Sequence, residues 1–344
     1  MNEHPRTADA EHPISVAEVL RARQVLRPHL RPTPLRRYES LCRLVGADVY
    51  VKHENQNLTG TFKIRGGLNL MHHLRSRGVK GVITYSTGNH GTSIATSARM
   101  MGLAALVVVP RASNPLKVQA IRDAGAEVVE WGSTFEEAGR KVEELREERG
   151  LYLAHPANEP LLIDGVGTGF LEVLEELPDL EVMLVPLGAG SEIAAALTVL
   201  KSIRPRIQVI AVQAQASSAA HRSWREGRIV EAENRTFAGG VATGTAYRVP
   251  FDIYSRLLDD FVLLTEEELY EGIALAAHHT RNLAEGAGSA TLRAAVKIRE
   301  RLSGRKVALQ FSGGNAGPDE IEAAVRRSGL RTGLPGPAPA PGGA

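Results

Sequence analysis

"VITYSTGNHGTSIATSARMMGLAALVVVP", residues 82–110, holds a complete strand, helix and strand unit. Its ends, "VITYS" (82–86) and "ALVVVP" (105–110), are short continuous apolar runs, as strands buried on both faces require. The stretch between them carries helical patterning, and strands alternating with helices imply a parallel sheet wrapped by helices. Outward from this unit the alternation continues. Strand patterns recur at "EVVEW" (127–131) and "LYLAHP" (151–156), separated by the helical "NPLKVQAIRDAG" and "TFEEAGRKVEELREERG". A second series begins after residue 165: helix "GVGTGFLEVLEEL", strand "EVMLVPLG", helix "SEIAAALTVLKSI" and strand "QVIAVQA". It resumes with "DFVLLT" (260–265), two helical patterns and strand "KVALQFSGG" (306–314). Before the first unit lie a helical "SVAEVLRARQVL" (15–26) and a strand-like "ADVYVKHE" (47–54). The expected architecture is α/β, two-lobed, with three α/β/α layers. No short repeat suggests a solenoid.

Bulk properties narrow the function. The chain has 344 residues, enough for two lobes. A formal net charge of +2 gives no basic field for nucleic acid. Cys42 is the single cysteine, so neither an internal disulfide nor a cysteine metal cluster is expected. No apolar run reaches the length of a membrane span, and "MNEHPRTADAEHP" is too acidic for a signal peptide. A cytoplasmic location is expected. Residues 1–13 and the Pro, Gly and Ala tail 331–344 are expected to be disordered. The charge run 136–150 reads as a solvated helix face, with Glu137 and Lys141 four apart and a buried stripe of Ala138, Val142 and Leu145.

Chemistry is expected beyond the carboxyl ends of the strands. In "NLTGTFKIRGG" (57–67), Lys63 stands at the mouth of a glycine-rich turn. Thr59 or Thr61 can cap a helix there, and Gly60 can supply an unusual backbone. The positive helix end disfavours an ammonium, which lowers an amine pKa and suits attack on a carbonyl. "STGNHG" (86–91) suits an anion such as a carboxylate, or is an ordinary capped turn. "LGAGSE" (187–192) is a glycine-rich strand-to-helix loop that suits a simple phosphate better than NAD, with a tight turn as the alternative. It departs from the dinucleotide fingerprint, because Ile193 replaces the third glycine and the next strand ends in Gln213. "FSGGNA" (311–316) offers the Ser312 hydroxyl and is by itself a turn. The pairs His72–His73 and His278–His279 point about 100° apart on a helix and share no metal face. There is no HExxH, Walker loop or GxSxG elbow.

Taken in order, these loops resemble the fold type II pyridoxal-phosphate (PLP) enzymes, the tryptophan synthase β-like family. The branch they are most similar to is the serine/threonine dehydratases, or ammonia-lyases. The resemblance runs from about residue 30 to 316, through "RPTPL" (31–35), "VKHENQNLTGTFKIRGG" (51–67), "STGNHG", "AHPANEPLLIDGVGT" (154–168), "PLGAGSEIA" (186–194), "EGAGSA" (285–290) and "SGGN" (312–315). It implies that Lys63 binds the cofactor aldehyde as a Schiff base and then moves protons at the substrate α-carbon. Phe62 would pack beside the ring and Asn89 would bond its 3-oxygen. Gly188, Ala189, Gly190 and Ser191 would hold the phosphate, and Ser312 would face the pyridine nitrogen. Ser86, Thr87, Asn89 and His90 would frame the substrate carboxylate. A neutral serine at the pyridine favours expulsion of a β-substituent over persistent carbanion chemistry. The implied reaction is β-elimination from a hydroxy amino acid such as L-threonine or L-serine, giving a 2-oxo acid and ammonia. A homodimer is implied as well. The implied division is a large cofactor-binding domain, 14–80 with 158–330, and a small α/β domain, 81–157.

Several positions depart from the pattern. Thr87 stands where many dehydratases have alanine and related racemases have serine. It keeps a hydroxyl, so racemisation stays open, while its extra methyl argues against it. Gln213 stands where racemases carry an acidic metal ligand, so no metal is expected. The "GAGS" loop and the segment 237–251 leave the substrate open. A hydroxyectoine-type dehydratase, β-replacement or a non-catalytic ligand-binding homologue are the alternatives.

Overall fold

The computed structural model describes residues 12–327, except Thr87, Ala112 and Thr134. The disorder expected of 331–344, most of that expected of 1–13, and the substrate role expected of Thr87 lie outside these residues. Among the described residues ten strands form two sheets. They are β1 (Leu35–Arg37), β2 (Asp48–Lys52), β3 (Gly81–Tyr85), β4 (Ala104–Val109), β5 (Glu127–Glu130), β6 (Tyr152–Leu153), β7 (Val182–Pro186), β8 (Gln208–Ala214), β9 (Asp260–Leu264) and β10 (Lys306–Gln310). The larger sheet runs β1-β2-β10-β7-β8-β9 and the smaller one β5-β4-β3-β6. Every pairing is parallel except β1 with β2.

The continuous apolar runs explain this arrangement. All five residues of β7 are buried, and Leu184 lies between Ile210 and Leu309 in register. In the smaller sheet Ile83 is flanked by Leu106 and Leu153. Apolar side chains cover both faces of each sheet, which is what parallel strands need. The edge strands β5 and β9 are only partly buried instead. β6 is shorter than the expected 151–156 run. After Leu153 the Ala154 carbonyl accepts the Thr84 hydroxyl at 2.8 Å, and the chain turns through Pro156.

Two elements place the site. The Lys63–Ser76 helix buries Ile64, Leu68, Met71 and Leu74. The "RGG" after Lys63 is therefore helix and not turn. Gly66 is there for close packing: a Cβ would sit 2.6 Å from the Leu162 carbonyl oxygen of the Pro160–Glu176 helix. That helix starts five residues before the expected 165, because Pro160 takes its first turn and the Glu159 side chain accepts from Leu161 N. The two helices are also joined by buried charge. Arg65 donates to Glu54 Oε2 at 2.7 Å and to Glu172 Oε1 at 2.6 Å, and Lys52 donates to Glu172 Oε2 at 2.6 Å. Burial would raise the Glu54 carboxyl, but Arg65 and Lys52 outweigh it and hold the group below its ordinary value. In the Phe135–Arg149 helix, Ala138, Val142 and Leu145 are buried as expected. Lys141 there meets Glu144 at 2.5 Å, a spacing of three and not four.

Candidate active site

The carboxyl ends of β3, β7 and β10 and the start of the Lys63–Ser76 helix open into one cleft of about 3060 Å³. Phe62, Lys63, Ser86, Asn89, His90, Gly188, Ala189, Gly190, Ser191 and Ser312 all line it. The sequence-predicted residues are thus brought together, apart from Thr87, which is not described.

Lys63 is the first residue of its helix, and the N-cap is Phe62. Neither threonine caps it. Thr61 donates its hydroxyl to the Ser312 carbonyl at 3.0 Å, and the Thr59 hydroxyl lies 3.2 Å from that of Ser93. Tertiary partners took the groups that local sequence offered as caps. Gly60 does adopt a left-handed backbone, at φ 69°. The Lys63 ammonium stands 4.9 Å over the Phe62 ring and donates to Ser191 Oγ at 2.9 Å. Enclosure by protein pushes its pKa down to about 8, opposed by the charge of Glu192. Burial is thus the leading cause, where the helix end was expected to be.

Ser191 opens the Ser191–Ile203 helix. Its N-cap, Gly190, has φ 97° and no side chain to occupy the amides of the first turn. Those amides and the helix dipole favour an anion. Gly188 lies under Gly240, where a Cβ would strike the carbonyl oxygen. One residue disturbs the pattern: Glu192 is an acid in the first turn. It is buried, accepts from Gln310 Nε2 at 3.0 Å, and burial raises its pKa well above the carboxylate range. The raised pKa favours its uncharged form and so lessens the repulsion of a bound phosphate.

Asn89 starts the Asn89–Met101 helix and reaches across the cleft. Its Nδ2 donates to Glu285 Oε1 at 2.6 Å, and its Oδ1 accepts from Asn315 Nδ2 at 2.8 Å. His90 is buried, with Nε2 turned to Thr84 Oγ1 and to the Ala154 carbonyl, each 3.1 Å away. Burial, then the Lys63 charge, push its pKa down to about 3. A neutral ring facing the small sheet offers no cation to a carboxylate. The Ser86 hydroxyl accepts from Gly88 N at 3.3 Å and shapes the same loop. Gln213 is buried at the end of β8, where its Oε1 accepts from His221 N at 3.1 Å. Among the described residues no group of three His, Cys, Asp or Glu is placed to hold a metal ion.

Glu192, Glu285 and Asn315 were not singled out from the sequence. Glu285 opens the "EGAGSA" motif and Asn315 closes "SGGN", so the signal was their place in two site loops.

These residues fit PLP on their own chemistry. There is an amine of lowered basicity, an anion cradle at a helix start, a hydroxyl beyond β10 and an amide at the opposite wall. A protein-family model described as pyridoxal-phosphate dependent enzyme matches residues 26–313. An L-threonine ammonia-lyase of Geobacter sulfurreducens is 40% identical over 305 residues, covering 88% of this chain and 76% of that protein. An L-threonine ammonia-lyase of Thermotoga maritima is 34% identical over 322 residues, covering 93% of this chain and 80% of that protein. A solved threonine deaminase superposes with a TM-score of 0.84 at 34% identity, covering 88% of this chain and 99% of that one. The structure of maize serine racemase superposes with a TM-score of 0.85 at 25% identity, covering 91% of this chain and 97% of that one. With the family match spanning most of its length and the two-sheet architecture shared, the chain belongs to the pyridoxal-phosphate dependent enzymes, in the tryptophan synthase β-like fold, fold type II.

Proposed function

We propose that the protein deaminates a hydroxy amino acid such as L-threonine or L-serine by β-elimination. The observation that carries this reading is the Lys63 amine, its pKa lowered to about 8, bonded at 2.9 Å to the first residue of the anion-binding helix. The relative named L-threonine ammonia-lyase supports the substrate class. Bound PLP supplies an aldehyde for the amine and a ring that accepts the electrons freed at the α-carbon.

The chain's own residues do the rest. Lys63 holds the cofactor and moves the α-proton. Gly188, Ala189, Gly190 and Ser191 would hold the phosphate from the loop and first turn at the start of the Ser191–Ile203 helix, and Phe62 would pack beside the ring. Asn89 would donate to the 3-oxygen with the Nδ2 hydrogen not given to Glu285. Ser312 would face the pyridine nitrogen as a neutral partner. Ser86, Thr87, Asn89 and His90 frame the substrate carboxylate, and the His90 ring also fixes that loop to the small sheet. In balance, the α-proton and the β-hydroxyl leave as water. The released enamine then takes up water and yields the 2-oxo acid and ammonia.

The domain division we propose is 14–80 with 158–330 as the cofactor-binding unit and 81–157 as the small unit. A cytoplasmic homodimer is part of the proposal. No helix among the described residues is long and apolar enough to cross a membrane. Light scattering tests the dimer.

The experiment is an assay of purified protein with PLP, L-threonine and L-serine, reading 2-oxo acid and the chirality of the remaining substrate. Oxo acid formation supports elimination. The likeness to maize serine racemase favours racemisation as a second reading. D-amino acid without oxo acid would replace the first reading by the second.

A further inference from the structure

Asn89 is the one proposed cofactor contact whose whole side-chain geometry is dictated by two other residues. Asn315 Nδ2 donates to the Thr59 carbonyl at 2.9 Å and to Asn89 Oδ1 at 2.8 Å. A backbone carbonyl only accepts, so the Asn315 group there is its NH2, and the Asn89 atom facing it is oxygen. Asn89 Nδ2 must then point at Glu285, whose Oε1 accepts from it at 2.6 Å. One Nδ2 hydrogen is left for the cleft.

Glu285 is oddly used for its position. It is the N-cap of the Gly286–Lys297 helix, yet its side chain makes no capping bond. Glu320 takes that role and accepts from Gly286 N at 2.5 Å. The Glu285 backbone N–H is fixed to the Gly313 carbonyl at 3.1 Å. The Glu285 carboxyl is thereby released from its helix and turned into the cleft.

We infer that Glu285 is a positioning residue: it orients Asn89, and through Asn89 its charge controls the hydrogen bond given to the cofactor. This rests on the proposed roles of Lys63 and Asn89. Burial, and then Glu320, raise the Glu285 pKa to about 7, with Asn89 and Lys117 pulling it down. Lys117 faces it from the Pro115–Asp123 helix and Glu320 from the Pro318–Arg327 helix. Glu192 and Lys63 line the same cleft. When Glu285 ionises, Asn89 Nδ2 is drawn more strongly to the carboxylate, and a negative charge stands near the 3-oxygen. Anionic character on that oxygen is then disfavoured.

The test compares the unmutated protein with Glu285→Gln, Glu285→Ala, Asn89→Ala and the double variant Asn89→Ala/Glu285→Ala, each loaded with PLP. Two quantities are read: the visible absorbance of the lysine-bound cofactor against pH, and its dissociation constant. The unmutated protein should show an absorbance step with a midpoint near pH 7, where Glu285 titrates. Glu285→Gln keeps the acceptor and loses the charge, so the step should vanish. Glu285→Ala should weaken cofactor binding about tenfold, as loss of one good hydrogen bond does. In the Asn89→Ala background the same change should cost almost nothing. A step unchanged in Glu285→Gln, or a Glu285→Ala penalty undiminished without Asn89, would overturn the inference. Absence of any band in the unmutated protein would instead overturn the role of Lys63, and the inference with it.

Discussion

Lys63 is chemically ready because of where its amine is enclosed. Its pKa of about 8 lies well below the ordinary lysine value of 10.5. The free amine fraction therefore rises as pH passes through about 8. The rate at which apoprotein captures PLP should climb across that range and level off above it. Stopped-flow absorbance measures this, and a rate flat from pH 7 to about 9 would contradict it. Ser312 gives a second expectation. Ser312→Asp places a carboxylate against the pyridine nitrogen and should lower elimination by about ten- to a hundredfold, while side reactions at the α-carbon grow. Product analysis by chiral chromatography checks the shift. Lys63 and the phosphate loop were legible in the sequence because each sits just after a strand or at a helix start, and local patterning marks such points, whereas Ser312, by itself in a turn, was legible only through the family resemblance. Glu285 was not, because its partner Asn89 is 196 residues away. Thr59 and Thr61 misled for the same reason: local propensity named them caps, and Ser93 and Ser312 took their hydroxyls.

At the scale of elements, the Lys63–Ser76 helix is held by a buried group of two cations and two carboxylates. Arg65→Ala would leave Glu54 and Glu172 buried with only Lys52 against them. It should destabilise the fold by about 3–5 kcal/mol, the usual cost of breaking a buried pair. Urea unfolding measures this, and a change under about 1 kcal/mol would show the network to be dispensable. Gly66→Ala should also destabilise, by about 1–3 kcal/mol, because the Leu162 backbone cannot retreat without parting the helices. The strands of both sheets were mostly readable, since continuous apolar runs have few other uses in an α/β chain. The Leu35–Arg37 strand and the Ala219–Glu226 and Arg248–Leu257 helices were not. They are short, and their buried faces are set by the sheet and helices they pack on.

For the whole molecule, buried groups of opposite type set the pH range of stability. His90 and His53 are held neutral, at pKa values of about 3 and about 4, mainly by burial. Both lie below the unfolded value of 6.5, so their contribution is lost as pH falls through that window. Asp164 works in the other direction. Burial, then Glu18, raise its pKa from 3.8 to about 8, so its burial costs nothing below 3.8 and its contribution is lost as pH rises towards 8. Asp164→Asn removes that dependence. Its stability relative to the unmutated protein should improve steadily from pH 5 to about 8, moving the optimum upward. Urea midpoints at three pH values decide it, and an offset equal at all three would refute the assignment. The two-sheet plan was legible because strand and helix alternate through most of the chain. The burial of Asp164 was not, because it depends on how the Pro160–Glu176 helix meets the residues around Ser15 and Glu18.

Everything proposed for the cleft depends on Lys63 being the residue that binds the cofactor. Purified protein incubated with PLP, reduced with borohydride and digested, should carry the pyridoxyl label on the peptide containing Lys63, found by mass spectrometry. Lys63→Ala treated in the same way should carry none. A label on another lysine, or equal labelling of the variant, would contradict that role.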